Sequence, residues 1–97
     1  MKVIWSSLSV ERTTEIGKYI ALDDRPVATK WIESVFNRVE QLESFPKGGT
    51  IVSETNREDI HQLTFDNYRI IYRISVDTIF ILTVRHDRQI LPESDIE

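Results

Sequence analysis

The sequence predicts an α+β fold: an N-terminal strand, an antiparallel two-helix hairpin, then a three-stranded antiparallel meander, with the helices packed on one face of the sheet. Three observations predict it. Apolar residues recur at three- and four-residue spacing between residues 26 and 44, as in an amphipathic helix. Residues 60–84 contain three β-type segments separated by short turns. A β-branched and aromatic run, Val3-Ile4-Trp5, opens the chain.

Length and composition favour one folded domain, residues 1–97. Of the 97 residues, 40% are hydrophobic and 29% charged, as in an average globular protein. The chain has no cysteine, so it forms no disulfide, as suits a reducing cytoplasm. No apolar run approaches the roughly 18 residues of a membrane span, so neither membrane insertion nor secretion is predicted. The net charge of −4, with the acidic excess in residues 51–97, argues against general nucleic-acid binding.

Two helices are predicted between the first strand and the meander. Ser6 or Ser7 is expected to cap the first helix, which carries a weak inward stripe of small and apolar residues. Pro26 is expected to begin the second helix. A backbone N–H in the first turn of a helix has no partner within the helix, so proline, which lacks this N–H, is tolerated there. This helix is predicted to end near Ser44, before a proline and two glycines. Its inward face is Ala28, Trp31, Ile32, Val35, Phe36, Val39 and Leu42.

The meander is predicted to pair antiparallel because its turns are too short for a parallel return. In its middle strand apolar residues alternate with Arg69 and Arg73, so one face is apolar and the other carries two arginines. The N-terminal strand is expected at an edge of the same sheet, and the acidic tail from Leu91 to Glu97 is expected to fray. The strands are predicted at Ile60–Thr64, Tyr68–Ser75 and Thr78–Val84.

This order of elements, with particular residues at their spacings, resembles the RelE/ParE superfamily of type II toxin–antitoxin toxins, and more closely its ParE side. The resemblance extends from about Val3 to Leu91. The Tyr68–Arg73 hexapeptide is its most specific part. The other matching residues are Trp5, Tyr19-Ile20, Pro46, Gly49, Val52, Glu54, Ile60-x-x-Leu63, Ile79-x-Ile81 and Val84-x-His86.

The resemblance implies a cytoplasmic toxin that inhibits growth, as in plasmid stabilisation systems, and is neutralised by a cognate antitoxin in a hetero-oligomer. ParE-like members inhibit DNA gyrase by binding it, and this is the preferred hypothesis. RelE-like members instead cleave mRNA in the ribosome, which is the alternative. A third hypothesis is a degenerate toxin that only binds its antitoxin. The fold alone does not separate these functions.

Three departures from the family pattern count against cleavage of mRNA. Thr50 stands where the family often has an arginine, and His61-Gln62 stands where it often has an arginine–glutamate pair. Ile90-Leu91-Pro92 offers no tyrosine or histidine near the C-terminus, where many RNA-cleaving members carry one. The chain is therefore expected to be a binding toxin more than a catalyst.

The candidate site residues are arginines and histidines of the meander. If the chain cleaves RNA, His86 would be the acid or base, and Arg69 and Arg88 would hold phosphate. Otherwise Arg69, Arg73 and Arg85 are candidates for target binding, with a solvated sheet face as the alternative for the two arginines of the middle strand. The alternative for His86 is a structural hydrogen bond at a strand end. His61 is expected at the surface.

The second helix supplies the candidate antitoxin surface. Trp31 and Phe36 are core residues by pattern, but part of this apolar face left uncovered would accept a partner helix. No metal site is predicted, because the only two histidines have no further ligand at close spacing. No cofactor is predicted either, since Gly48-Gly49 does not open a helix as a phosphate loop does.

Overall fold

The computed structural model describes residues 1–96, with five strands in one sheet and two main helices. Both helices follow the first strand. The first begins at Ser7, as predicted, and the second begins at Arg25, one residue before the predicted Pro26. The second ends at Glu40, where a 3₁₀ turn continues to Glu43, close to the predicted end at Ser44. The elements are β1 (Lys2–Trp5), α1 (Ser7–Ala21), α2 (Arg25–Glu40), β2 (Thr50–Ile51), β3 (Ile60–Phe65), β4 (Tyr68–Ile74) and β5 (Thr78–His86), with 3₁₀ turns at Gln41–Glu43, Ser53–Thr55 and Glu93–Asp95.

The strand order across the sheet is β1-β5-β4-β3-β2. β3, β4 and β5 form the predicted antiparallel meander. β1 lies at the expected edge position and runs parallel to β5. The other edge is β2, a two-residue strand antiparallel to β3. It was not predicted, because so short a segment has no measurable period.

Ser6 joins the start of α1 to an irregularity in β5. Its hydroxyl oxygen accepts a hydrogen bond from the amide of Ser9 at 3.0 Å, which caps the helix. The same hydroxyl donates to the carbonyl oxygen of Leu82 at 2.9 Å. Leu82 is skipped where β5 pairs with β4, as in a β-bulge, so the helix cap and the bulge hold each other in place.

The two faces of the sheet are covered differently. The face toward α1 and α2, here called the helix face, holds the main core. The opposite face, here called the far face, holds a second, smaller core. The buried residues of the main core are Trp31, Val35, Val39, Leu42, Leu63, Ile70, Tyr72, Ile79, Ile81 and Val84, and those of the second core are Val52, Ile60, Ile71, Leu82, Leu91 and Ile96.

Residues 89–96, here called the C-terminal strap, cover the far face, so the prediction of a frayed tail is wrong. Leu91 and Ile96 of the strap are buried in the second core. They pack there because the alternation in β4 places the apolar Ile71 on this face, between the two arginines, where it needs cover from water. Residue 97, the end of the predicted tail, lies outside the described residues.

Candidate functional site

Arg69 is buried on the far face beneath the strap, so its surroundings are not the solvated sheet face of the alternative prediction. Its guanidinium forms an ion pair with Glu54, in the turn that follows β2. It also donates to the carbonyl oxygen of Gln89 at 2.8 Å and to the side-chain oxygen of Gln62 at 3.3 Å. The hydrogen bond from Arg69 lowers the pKa of the Glu54 carboxyl.

Arg85 lies directly opposite Arg69 in the pairing of β4 with β5. Its Nε atom donates to the Asp95 carboxylate of the strap at 2.7 Å, and the Thr83 hydroxyl donates to the same oxygen at 3.0 Å. Like charges opposite each other in a sheet repel, and here each is offset by a carboxylate, Glu54 or Asp95. Two of the three predicted target-binding arginines therefore bind the protein's own acids.

The other two candidate arginines lie outside this pair. The Arg73 guanidinium stacks on the ring of Phe80, 4.6 Å from its centroid, on the far face. Arg88 is exposed in the turn after β5, where its backbone amide donates to the Nδ1 atom of His86 at 3.2 Å. The four arginines thus form one neutralised pair and two separate side chains.

His86 and Arg69 lie on opposite faces of the sheet. His86 is paired across strands with Tyr68, and its ring centroid lies 5.4 Å from that ring, on the helix face. Tyr68 in turn contacts the buried Trp31 at 5.2 Å. Arg69, the next residue along β4, points the other way, as successive residues of a strand do. The structure therefore does not bring together the predicted catalytic set of His86, Arg69 and Arg88.

His61 is buried on the helix face, so the prediction of a surface position is wrong. Its ring stacks on that of Tyr72, with centroids 5.6 Å apart. The loop between α2 and β2 closes over this end of the sheet, because the Tyr72 hydroxyl donates to the carbonyl oxygen of Pro46 and accepts from the amide of Gly49, both at 3.0 Å. The neighbouring Gln62 is the residue that faces the buried Arg69.

A groove of about 360 Å³ runs between α1 and α2. Phe36 lines it and is 46% exposed, whereas Trp31 is 4% exposed and belongs to the main core. Of the two residues predicted to contact an antitoxin, only Phe36 is thus accessible. The charged residues of the lining are Lys18 and Arg25, both cationic. The lining residues are Val10, Thr13, Thr14, Gly17, Lys18, Ala21, Arg25, Ala28, Thr29, Ile32 and Phe36.

The sequence indicated an uncovered apolar face on the hairpin as the groove, but not which residues line it, because most of its walls are small or polar residues that an apolar periodicity does not register. Gly17 is the clearest signal for it. A Cβ atom there would lie 2.7 Å from the Cδ1 atom of Ile32, so the missing side chain lets the two helices approach closely. Gly17 together with Ala21 and Ala28 marks the line where the helices meet.

Acidification is expected to loosen the C-terminal strap. Burial by itself raises the pKa of Asp95, but hydrogen bonds from Arg85 and Thr83, with the charges of Arg85 and Arg12, outweigh it and lower the pKa overall. A carboxyl of lowered pKa stabilises the folded state above its ordinary value of 3.8, and this contribution is lost as the pH falls through the lower folded value.

Urea unfolding as a function of pH tests this expectation. The free energy of unfolding should fall below about pH 4, and it should fall less in Asp95→Asn, which has no carboxyl to protonate at this position. Glu93→Gln is the control, because it removes an exposed carboxyl from the same turn. Identical pH profiles for the wild type and Asp95→Asn would contradict the assignment.

Residues 1–96 hold neither a cluster of metal-ligating side chains nor a helix that could span a membrane. No three histidine, aspartate or glutamate side chains come together there as metal ligands. Neither of the two main helices is long and apolar enough to cross a membrane.

Comparisons with known proteins agree with this architecture. Residues 3–91 match the family described as ParE toxin of type II toxin-antitoxin system, parDE. Y4kP, a candidate toxin of Sinorhizobium fredii, is 33% identical over 93 residues, which cover 95% of this chain and 94% of that protein. A chain of a structure titled chromosomal ParDE TA system from P. aeruginosa superposes with a TM-score of 0.74 at 20% identity, covering 89% of this chain and 95% of that one.

The fold is that of the RelE/ParE superfamily, and the class of protein is the toxin of a type II toxin–antitoxin system. Because the family match spans nearly the whole chain, this protein belongs to the ParE toxin family.

Proposed function

We propose that this ParE-family toxin acts by binding DNA gyrase and not by cleaving mRNA, and that a cognate antitoxin neutralises it in the cytoplasm. The observation that carries the choice is the separation of His86 from Arg69 by the sheet. RNA cleavage needs a proton-transferring group beside the cations that hold the scissile phosphate. Here the imidazole lies at one face and the guanidinium is buried at the other, paired with Glu54. Family membership supports the same choice.

Two measurements together test the target. The purified chain is added to a gyrase supercoiling reaction, and protein and DNA synthesis are pulse-labelled in bacteria just after induction of the chain. Inhibited supercoiling and an early loss of DNA synthesis are expected. An early loss of protein synthesis would favour ribosome-dependent cleavage, and an absent growth defect would favour the degenerate toxin.

The variant His86→Ala makes this test sharper. A binding toxin should keep its growth inhibition in this variant, because the contacts of His86 are structural ones, with Tyr68 of the neighbouring strand and with Asp87 and Arg88 of the turn that follows. An mRNA endonuclease that uses His86 for proton transfer should lose on the order of a hundredfold in rate. Loss of toxicity in a folded His86→Ala chain would therefore count against the gyrase proposal.

The groove between α1 and α2 is our proposed antitoxin site. Phe36 and Val10 leave apolar surface in it, and such a groove suits the apolar side of a partner helix or extended segment. Lys18 and Arg25 make the lining cationic. The antitoxin segment should therefore be apolar and carry an acidic residue that reaches Lys18 and Arg25.

Truncation of Phe36 is expected to weaken antitoxin binding by about tenfold or more, since a half-exposed aromatic in a groove is the usual anchor of an interface. Phe45→Ala is the matched control: this aromatic is also exposed but lies outside the groove. It should change the affinity by less than about twofold. The readout is calorimetric titration with the antitoxin, with a thermal melt of each variant because Phe36 also contacts Trp5. Equal losses in the two variants would contradict the assignment.

A further inference from the structure

The C-terminal strap is attached to the far face by side chains. Within residues 1–96, its backbone-to-backbone hydrogen bonds are local ones, such as those from the amides of Asp95 and Ile96 to the carbonyl oxygens of Pro92 and Glu93 at 3.0 and 3.1 Å. Its other backbone hydrogen bonds are to side chains, those of Arg69 and Glu54. Its backbone makes no ladder bond with a strand of the sheet. A segment held in this way opens at a lower free energy than a strand does.

Three kinds of contact hold the strap closed. The Asp95 carboxylate accepts from Arg85 and Thr83, as described above. Arg69 donates to the carbonyl oxygen of Gln89. Leu91 and Ile96 fill the second core. A cavity of about 460 Å³ beside Leu91 and Ile96 leaves the edge of this contact incompletely filled.

Opening of the strap would leave a surface with defined chemistry. Arg85 would lose its carboxylate and remain opposite Arg69, so two cations would face solvent, and only Arg69 would keep a carboxylate partner, Glu54. The apolar residues of the second core would be uncovered beside them. A segment that closes this surface again must supply both a carboxylate and a large aliphatic side chain, as Asp95 and Ile96 do.

We propose that the far face is a second binding surface of this toxin, occupied in the free chain by its own strap. Its partner is a protein segment that carries a carboxylate next to a large aliphatic residue and exchanges with the strap. Arg85 receives the carboxylate, and the second core around Ile71 and Leu82 receives the aliphatic group. The inference goes beyond the proposed function, because it concerns what this face binds and holds for either target.

A peptide in trans tests the exchange. A fluorescent peptide with the sequence of residues 89–96 is titrated into the full-length wild type, Asp95→Asn and Glu93→Gln. The strap of Asp95→Asn lacks its carboxylate and competes less well, so the peptide should bind this variant about tenfold more tightly than the wild type. Glu93→Gln removes an exposed carboxyl of the same turn and should bind as the wild type does.

A second peptide that carries the Asp95→Asn change should bind each chain about tenfold more weakly than the first. Equal affinity for the two peptides would overturn the role of the carboxylate. Equal affinity of the wild type and Asp95→Asn for the first peptide, or no binding to a folded Asp95→Asn chain, would overturn the exchange.

The wild-type chain alone decides the question if Asp95→Asn does not fold. Unlabelled peptide is added to the isotope-labelled chain, and hydrogen exchange is followed at the Asp95 and Ile96 amides. Displacement of the strap breaks their local hydrogen bonds, so both amides should exchange faster until the peptide saturates. Unchanged exchange at about 1 mM peptide would overturn the inference.

Discussion

Gly49→Ala is expected to lower the free energy of unfolding by about 3 kcal/mol or more. A Cβ atom at position 49 would lie 2.2 Å from the carbonyl oxygen of Gln62 and 2.8 Å from the Tyr72 hydroxyl. The first of these atoms is backbone of β3 and cannot move aside without disturbing the pairing with β2. The second holds the loop through Pro46, so the methyl group also threatens that hydrogen bond.

Gly48→Ala is the matched control for this prediction. A Cβ atom at position 48 would come no nearer than 3.1 Å to another heavy atom, the carbonyl oxygen of Phe45. Its effect should stay below about 1 kcal/mol. Urea unfolding of the two variants beside the wild type gives the comparison. If the two variants lose similar amounts of stability, the loss comes from replacing any glycine of this loop, and not from the close approach of Gly49 to β3.

Arg85→Ala is expected to cost about 3 kcal/mol of stability, because it leaves a buried carboxylate without its cation. Asp95 is 5% exposed and Arg85 is 17% exposed in their side chains. Removal of one partner of such a pair costs more than the pair contributes, since the remaining charge keeps its unfavourable burial. The strap sets an upper limit on this cost, because its opening would return the unpaired Asp95 carboxylate to water.

Arg57→Ala provides the comparison. Arg57 and Asp59 form an ion pair of the same 2.7 Å length, but their side chains are 44% and 40% exposed. Water screens this pair, so its loss should cost clearly less stability than the loss of the pair between Arg85 and Asp95. Both variants are measured by urea unfolding at neutral pH. A cost for Arg57→Ala as large as that for Arg85→Ala would mean that distance, and not burial, sets the strength of these pairs.

The helices and the meander were predictable because their signals are local. Ser6 caps α1 and Asp24 caps α2, ahead of Pro26, and the buried face of α2 follows the helical period. The alternation in β4 correctly separated Ile70 and Tyr72 from Arg69. These features depend on residues a few positions apart, and sequence patterns record such relations well.

The covering of the far face was not predictable in the same way. Arg85 meets Asp95 only because the chain turns back after β5, and Glu54 reaches Arg69 from a turn beyond β2. The sequence pattern of an acidic tail predicts that it is solvated, unless the residue that pairs with it is already known. Phe36 and Trp31 show the same limit: one helical stripe predicted both as core, and packing against α1 and the sheet left one exposed.

The parallel pairing of β1 with β5 has a consequence for synthesis. Lys2 pairs with Thr78 and Trp5 with Ile81, so strands that are distant in sequence must meet to complete the sheet, which is a pairing of high contact order. On the ribosome, α1 and α2 emerge well before β5, and their apolar sides then have no finished sheet to cover. A nascent chain interrupted before residue 78 therefore lacks β5, the strand that lies between β1 and β4, and β1 has no partner in the sheet until β5 has been made.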